Sequence, residues 1–313
     1  MYYPYLRGKQ FELKALREFA AENCHEGRII PIIEPVNKSI SAMEAAVGQF
    51  VENNFKFAMI LNPSDGDFRY PEVRFELPEH PLMTENMKAW IPTYLYQGDP
   101  VRLNTQIAES VYDNVMIVFR KCVDVDNVDV MTLLSNSKVR WIVNDFGNMV
   151  MRRTKHALLE IGKDVIILED CFKTRKRNTD YSDSVDEPFS EMFYYYRDEE
   201  FSGFSDYTAL SSEFIDGGML PYAIAIHLTY ERAKDQIYIH HFVSDTNYDQ
   251  SNVRLKFAEA ARKIEPFFRD IARTSAVSEL IDRADASDGY PGLGYLKKLS
   301  VKNHLELVSR IMR

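Results

Sequence analysis

The chain is poor in the features that mark secreted, membrane or metal-clasped proteins. It has only three cysteines, Cys24, Cys122 and Cys171, widely spaced and without a C-x-x-C pair. That excludes a disulfide framework and a cysteine zinc site, and it reads as free thiols in a reducing compartment. No apolar run approaches the length of a membrane span, and the opening Met-Tyr-Tyr-Pro-Tyr-Leu-Arg lacks a signal peptide's apolar core. The expected location is the cytoplasm. Excess positive charge is missing as well: 38 Lys and Arg face 47 Asp and Glu, a formal charge of −9. A basic footprint for duplex nucleic acid is therefore absent overall, which argues against direct nucleic-acid binding. P-loop, G-x-S-x-G and H-E-x-x-H patterns are absent too.

What is present is an ordinary globular composition, 45% hydrophobic and 27% charged over 313 residues. The pattern is organised around Arg28-Ile-Ile-Pro-Ile-Ile-Glu-Pro-Val36, a β-branched apolar run that ends in one carboxylate between two prolines. A run this short and uninterrupted reads as a strand buried on both faces, as a parallel sheet covered by helices requires. The same beat recurs along the chain. Strands are expected at Tyr2–Leu6, Ile29–Val36, Phe55–Leu61, Trp90–Tyr96, Val115–Phe119, Val139–Val143, Val165–Leu168 and Tyr222–Ile226. Helical patterns alternate with them, among them Ser41–Asn54, Val101–Tyr112, Val128–Leu134 and Met149–Ile161. Residues 64–86, with Pro71, Pro78 and Pro81, read as an irregular unit after the third strand.

Eight such strands predict a (β/α)8 TIM-barrel-like α/β fold, with a doubly wound open sheet as the alternative. The chain reads as a single domain, 1–313, with a long excursion at 172–221, a β-hairpin at 228–243 inserted after the eighth strand, and C-terminal helices across 252–311. The longest helical pattern is Asn252–Thr274, and a final helix is expected from Val301 to Ile311 after a Gly/Pro-rich break at Asp288–Gly294.

In either architecture ligands bind at the C-terminal ends of the strands. The residues there are Arg7 and Lys9, Glu34, Asn62, Tyr94 or Tyr96, Arg120, Asp145, Glu169 or Asp170, and His227. Arg7, Lys9 and Arg120 suit an anionic, phosphorylated ligand. Glu34, Asp145 and His227 suit acid–base work. Glu34, Asp145 and Asp170 would alternatively hold Mg²⁺ or Mn²⁺ through oxygen. A satisfied ion-pair network in the mouth is the structural alternative. Parity leaves the choice between Glu169 and Asp170 open. His240 and His241 are neighbours on a strand and face opposite sides, which suits structural roles better than a shared metal. The basic run Lys173-Thr-Arg-Lys-Arg177 reads as an anion-holding or solvated segment.

Three sets of residues carry a family resemblance. They are Tyr3-Pro-Tyr-Leu-Arg-Gly-Lys-Gln-Phe-Glu-Leu13 with Pro31-Ile-Ile-Glu-Pro35; Gly203-Phe-Ser-Asp-Tyr207; and Ala225-Ile-His-Leu-Thr229 with His241-Phe-Val-Ser-Asp245. Together they resemble the phage-type "beta protein" family and its bacterial relatives, over most of the chain. The resemblance implies a setting in phages, mobile elements and antiviral defence islands, beside a small nuclease-like partner protein, and it implies no reaction. It adds weight to Arg7, Lys9, Glu34, Asp206, His227 and Asp245, which lie inside the motifs, and Asp206 thereby joins Arg7, Lys9 and Arg120 as an expected ligand-binding residue at the mouth. Two readings follow: a component of a phage-defence module that acts through a partner and carries a polar ligand pocket, or an enzyme acting on a phosphorylated or nucleotide-like small molecule.

Overall fold

Short apolar runs become strands and amphipathic runs become helices in the computed structural model, which describes the chain apart from residues 23–26, 71, 78–88, 148–151, 216, 218–220, 285–289 and 313. Cys24, Pro71, Pro78, Pro81, Met149 and Asp288 lie outside the described residues. Cys122 is exposed and Cys171 half-buried, and neither is joined in a disulfide. The chain divides into two compact units where the sequence reads as one domain. The first comprises Met1–Leu13, His25–Asp170 and Tyr195–Tyr207; the second comprises Lys14–Cys24, Cys171–Tyr194 and Thr208–Arg313.

The first unit is a (β/α)8 barrel. Its strands are β1 (Tyr5–Leu6), β2 (Ile32–Ile33), β3 (Phe57–Ile60), β4 (Trp90–Leu95), β5 (Val115–Phe119), β6 (Val139–Asp145), β7 (Asp164–Glu169) and β9 (Gly203–Asp206), parallel and adjacent in that order. A parallel bridge between Tyr2 and Phe204 returns the last strand to the first and nearly closes the barrel. Tyr3 N donates to Phe204 O at 2.8 Å and Phe204 N to Met1 O at 3.1 Å. In chain order the strands alternate with α1 (Gln10–Ala21), α2 (Ser41–Glu52), α3 (Pro100–Glu109), α4 (Val128–Leu134) and α5 (Arg152–Glu160). Helix starts follow local chemistry. Asp99 caps α3 by accepting from Arg102 N ahead of Pro100, and Asn127 caps α4 by accepting from Asp129 N and Val130 N.

Alternation along each strand sends one set of side chains inward, where Tyr5, Ile32, Ile60, Val118, Val143 and Leu168 belong to one buried cluster. The other set faces the helices: Phe50 of α2 packs on Phe57 of β3 with ring centroids 5.4 Å apart. The irregular unit after β3 begins with a 3₁₀ turn, Gly66–Arg69.

The eighth barrel strand is not Tyr222–Ile226. It is Gly203–Asp206, inside the stretch expected to be an excursion. Its glycine, serine and aspartate hide it from a search for apolar runs. Its place rests on a close approach instead: a Cβ at Gly203 would lie 2.7 Å from the Tyr3 ring and 2.8 Å from Met1 O.

The second unit holds a three-stranded antiparallel sheet in the order β10–β11–β8, made of β8 (Asp186–Ser190), β10 (Ala225–Ala233) and β11 (Gln236–Val243). The expected hairpin is therefore β10–β11, and it begins earlier, at Ala225. The helical elements of this part of the chain are a single turn, α6 (Met192–Tyr195), then α7 (Val253–Ala261), α8 (Ile264–Phe267), α9 (Ser275–Ala284) and α10 (Leu293–Ile311). Ile226, Leu228 and Tyr230 of β10 share a core with Phe257, Leu280 and Leu299. The long pattern at 252–274 breaks in two because Pro266, without an N–H, cannot continue a helix from Arg262. The final helix starts at Leu293 rather than Val301, and its 19 residues make it the longest among the described residues.

Gly203→Ala should prevent clean closure of the barrel, since both clashing groups belong to the segment that leads into β1. A loss on the order of 1–3 kcal/mol, typical of overpacking, is expected in urea unfolding. An unchanged midpoint would mean that the β9–β1 seam tolerates a side chain.

Candidate functional site at the barrel mouth

Glu34 directly follows β2 with the parity of Ile30 and Ile32, so its carboxylate projects into the barrel, where it is fully buried. A charge in that position costs several kcal/mol unless it is surrounded by donors. Both oxygens are supplied. Oε2 accepts from the Tyr5 hydroxyl at 2.5 Å and from Arg120 Nη1 at 3.4 Å. Oε1 accepts from Ser64 N at 3.0 Å, Asp65 N at 3.3 Å and Ser64 Oγ at 3.4 Å. Burial, and then the neighbouring Glu34, raise the Tyr5 pKa well above its ordinary value, so Tyr5 acts as a donor.

The loop that supplies Ser64 and Asp65 is fixed on both sides. The Asn62 side chain imitates a strand partner, accepting from Leu95 N at 2.7 Å and donating to Leu95 O at 2.8 Å. Gly66 then turns with φ +63, where a Cβ would lie 2.1 Å from Val36 O. No L side chain fits there. Asp67 N closes the turn onto Val36 O at 2.9 Å.

Two guanidiniums meet on this loop. Arg120, after β5, donates from Nη1 to Asp65 Oδ2 at 2.7 Å and from Nη2 to Ser64 Oγ at 2.9 Å. Arg7, after β1, donates from Nε to the same Asp65 Oδ2 at 3.0 Å. Arg7 also lies over the rings of Tyr5 and Tyr207, at 5.7 and 5.4 Å from their centroids. Burial works against the Arg120 charge, but Tyr5, Glu34 and Asp65 outweigh it and hold the group protonated. With 27% of its side chain exposed, Arg120 remains accessible from the mouth.

Asp145 ends β6 with the parity of Val143, in register with Leu168 of β7. Asp170 continues the inward parity of Ile166 and Leu168, whereas Glu169 is in register with Asp206 on the outward parity. Burial and then Asp170 raise the Asp145 pKa, against an opposing hydrogen bond from Gly147 N. Tyr207, just beyond β9, feels both sides of the mouth. Burial raises its pKa, Arg7 and Arg120 lower it, and Asp145 and Asp170 raise it. One side of the mouth is thus cationic and internally compensated, and the other is acidic.

The barrel brings together Arg7, Glu34, Arg120, Asp145 and Asp170. Lys9 stands in the turn before α1, its carbonyl accepting from Leu13 N. Glu34, Asp145 and Asp170 do not make the three-carboxylate cage expected for Mg²⁺ or Mn²⁺; among the described residues no group of three or more His, Cys, Asp or Glu is placed to hold a metal ion. Asp206 is corrected from the mouth to the outside of the barrel wall, buried, where Oδ1 accepts from the Tyr2 hydroxyl at 2.6 Å. Tyr2 in turn stacks on Phe204 with centroids 4.8 Å apart. The residues that sequence reading missed are Tyr5, Ser64, Asp65 and Tyr207. The turn Asn62-Pro-Ser-Asp-Gly66, immediately after a strand, was the available signal for two of them.

His227 is also corrected: it lies on β10 of the second unit, not on a barrel strand. There it is the cross-strand partner of His241. His241 N donates to Val185 O, away from β10, so the pair occupies a position without backbone hydrogen bonds, where side chains approach most closely. The two Nδ1 atoms are 2.8 Å apart, a hydrogen bond only if one ring bears the proton and the other is bare. Phe172 and Tyr181 pack edge-on against His227. Burial and then the partner imidazole push the His227 pKa well down. Burial and then His240 push that of His241 down to about 4. His240 faces the other side, with Nδ1 at 3.3 Å from Asp186 Oδ1. The basic run is partly neutralised within the second unit: Arg175 pairs with Glu187 and Arg177 with Asp180.

No family model matches the chain, and no curated protein or solved structure is significantly similar to it. No helix among the described residues is long and apolar enough to cross a membrane.

Replacing Glu34 by Gln leaves donors facing an amide and removes one of the two carboxylates that Arg120 meets. A destabilisation of about 3 kcal/mol, at the low end for breaking a buried pair, should appear in equilibrium unfolding. An unchanged stability would show that the carboxylate is held for chemistry alone.

The histidine pair makes stability depend on pH. Because the folded pKa of His241 lies below its unfolded value, stability is full above about pH 6.5 and falls as pH drops toward about 4, by up to about 1.4 kcal/mol per unit. His241→Phe should flatten this slope in thermal melts taken between pH 7 and 4.5. An identical slope in the variant would place the acid sensitivity elsewhere.

Proposed function

We infer that the barrel mouth binds a small polar ligand bearing an oxyanion, of the phosphorylated or nucleotide-like class, in a chain that serves a phage-defence or mobile-element module through a nuclease-like partner protein. The observation that carries the ligand reading is the convergence of Arg7 Nε and Arg120 Nη1 on a single carboxylate oxygen, 3.0 and 2.7 Å away. Paired guanidiniums at the C-terminal end of a barrel are suited to phosphate or carboxylate oxygens. The module and partner rest on the family resemblance. Its motifs coincide with the strands that build this mouth: Tyr3–Leu13 contains β1, Pro31–Pro35 contains β2, and Gly203–Tyr207 contains β9.

A second reading, an enzyme acting on the same ligand class, is favoured by one observation. Asp145 is a half-buried carboxyl at the mouth whose pKa is raised by burial and by Asp170, against the Gly147 N–H that lowers it. A carboxyl shifted in that direction beside a ligand-binding cleft is a candidate for proton transfer. His227 takes no part in this reading.

A thermal-shift screen against nucleotides and sugar phosphates tests the ligand reading. A ligand present at about a hundred times its Kd should add roughly 2.7 kcal/mol to stability, and Arg120→Ala should abolish that gain. A flat screen combined with a stable co-purifying protein would leave the partner role without the pocket.

A further inference from the structure

The two carboxylates of the mouth are held in opposite ways. Glu34 is fully buried and uses both oxygens, accepting from two backbone N–H groups, two hydroxyls and Arg120. Asp65 has 18% of its side chain exposed and is held through Oδ2 alone, by Arg7 and Arg120. Its Oδ1 accepts no hydrogen bond from the described residues. The Asp65 backbone, by contrast, is fixed: its N–H donates to Glu34 at 3.3 Å, and the turn that follows is locked by Gly66 against Val36. A side-chain rotation would therefore withdraw this carboxylate from both guanidiniums without moving the loop, while Arg120 keeps its bonds to Glu34 and Ser64.

We propose that Asp65 is an internal stand-in for the ligand: its carboxylate oxygen occupies the position of an oxyanion oxygen between Arg7 and Arg120, and an incoming oxyanion displaces it. The proposal rests on the ligand reading above and adds its regulation. Binding is an exchange of one anion for another across the same two guanidiniums, so apparent affinity is lowered by the fraction of molecules in which Asp65 holds the site. The exchange also conserves charge in the mouth, since the departing carboxylate turns toward solvent as the new anion enters. The incoming anion takes over the charge that Asp65 withdraws, and Arg120 keeps its contact with Glu34 throughout.

The test is calorimetric titration of the full chain with inorganic phosphate and, separately, acetate at matched ionic strength. The proteins are the unmodified chain, Asp65→Asn, and Asp65→Asn combined with Arg120→Lys. The expected result is phosphate or acetate binding at least about tenfold tighter in Asp65→Asn than in the unmodified chain, and lost again in the double variant. The preferred anion identifies the oxyanion class. Equal affinity in the unmodified chain and Asp65→Asn overturns the stand-in and leaves the ligand reading in place. Absence of binding in both overturns the two together. Should Asp65→Asn be poorly folded, Asp65→Ser and the rise of either variant's melting temperature in excess phosphate provide the second readout. A rise confined to the Asp65 variants supports the exchange. Variants that stay unfolded with phosphate make Asp65 a structural counter-ion and overturn it.

Discussion

A carboxylate without water is the constraint on which the mouth of this barrel depends. Glu34 is carried there by a strand whose other inward residues are isoleucines, so its charge has to be met from neighbouring strands or not at all. The answer comes from three directions: a tyrosine on β1, a turn after β3 and an arginine after β5. Each answer imposes a further condition. The turn requires a glycine at 66, because Val36 O occupies the place of a side chain. The arginine requires a second anion, Asp65, and that anion recruits Arg7. A single buried charge thus propagates into a network that orders most of one barrel end.

The network also explains why the polar residues of the mouth are unequal. Glu34 and Tyr5 are fully enclosed, while the Asp65, Arg120, Asp145 and Asp170 side chains keep partial exposure. Buried ionic groups are a poor source of net stability. Under the proposed ligand reading, their concentration at the end where barrels bind ligands preorganises cations for an anion. The second unit repeats the theme with neutral groups. His227 and His241 bring their Nδ1 atoms together among aromatic neighbours, an arrangement held by strand register.

The sequence by itself determined the class of fold and seven of the eight barrel strands, because fully buried parallel strands have to be short, apolar and regularly spaced by helices. It also determined that Arg7, Glu34, Arg120 and Asp145 end strands, since polarity appears where each apolar run stops. Tertiary structure alone decided the rest. The closing strand, Gly203–Asp206, is selected by fit against Tyr3 and Met1 and not by hydrophobicity, so a search for apolar runs passes over it in favour of Tyr222–Ile226. That substitution carried His227 onto the wrong sheet. The separation of Asp170 from Glu169, the recruitment of Asp65, and the sharing of one carboxylate oxygen by two arginines depend on which strands become neighbours around a closed ring. Periodicity reports which side of a strand a residue occupies; only closure determines what it meets there.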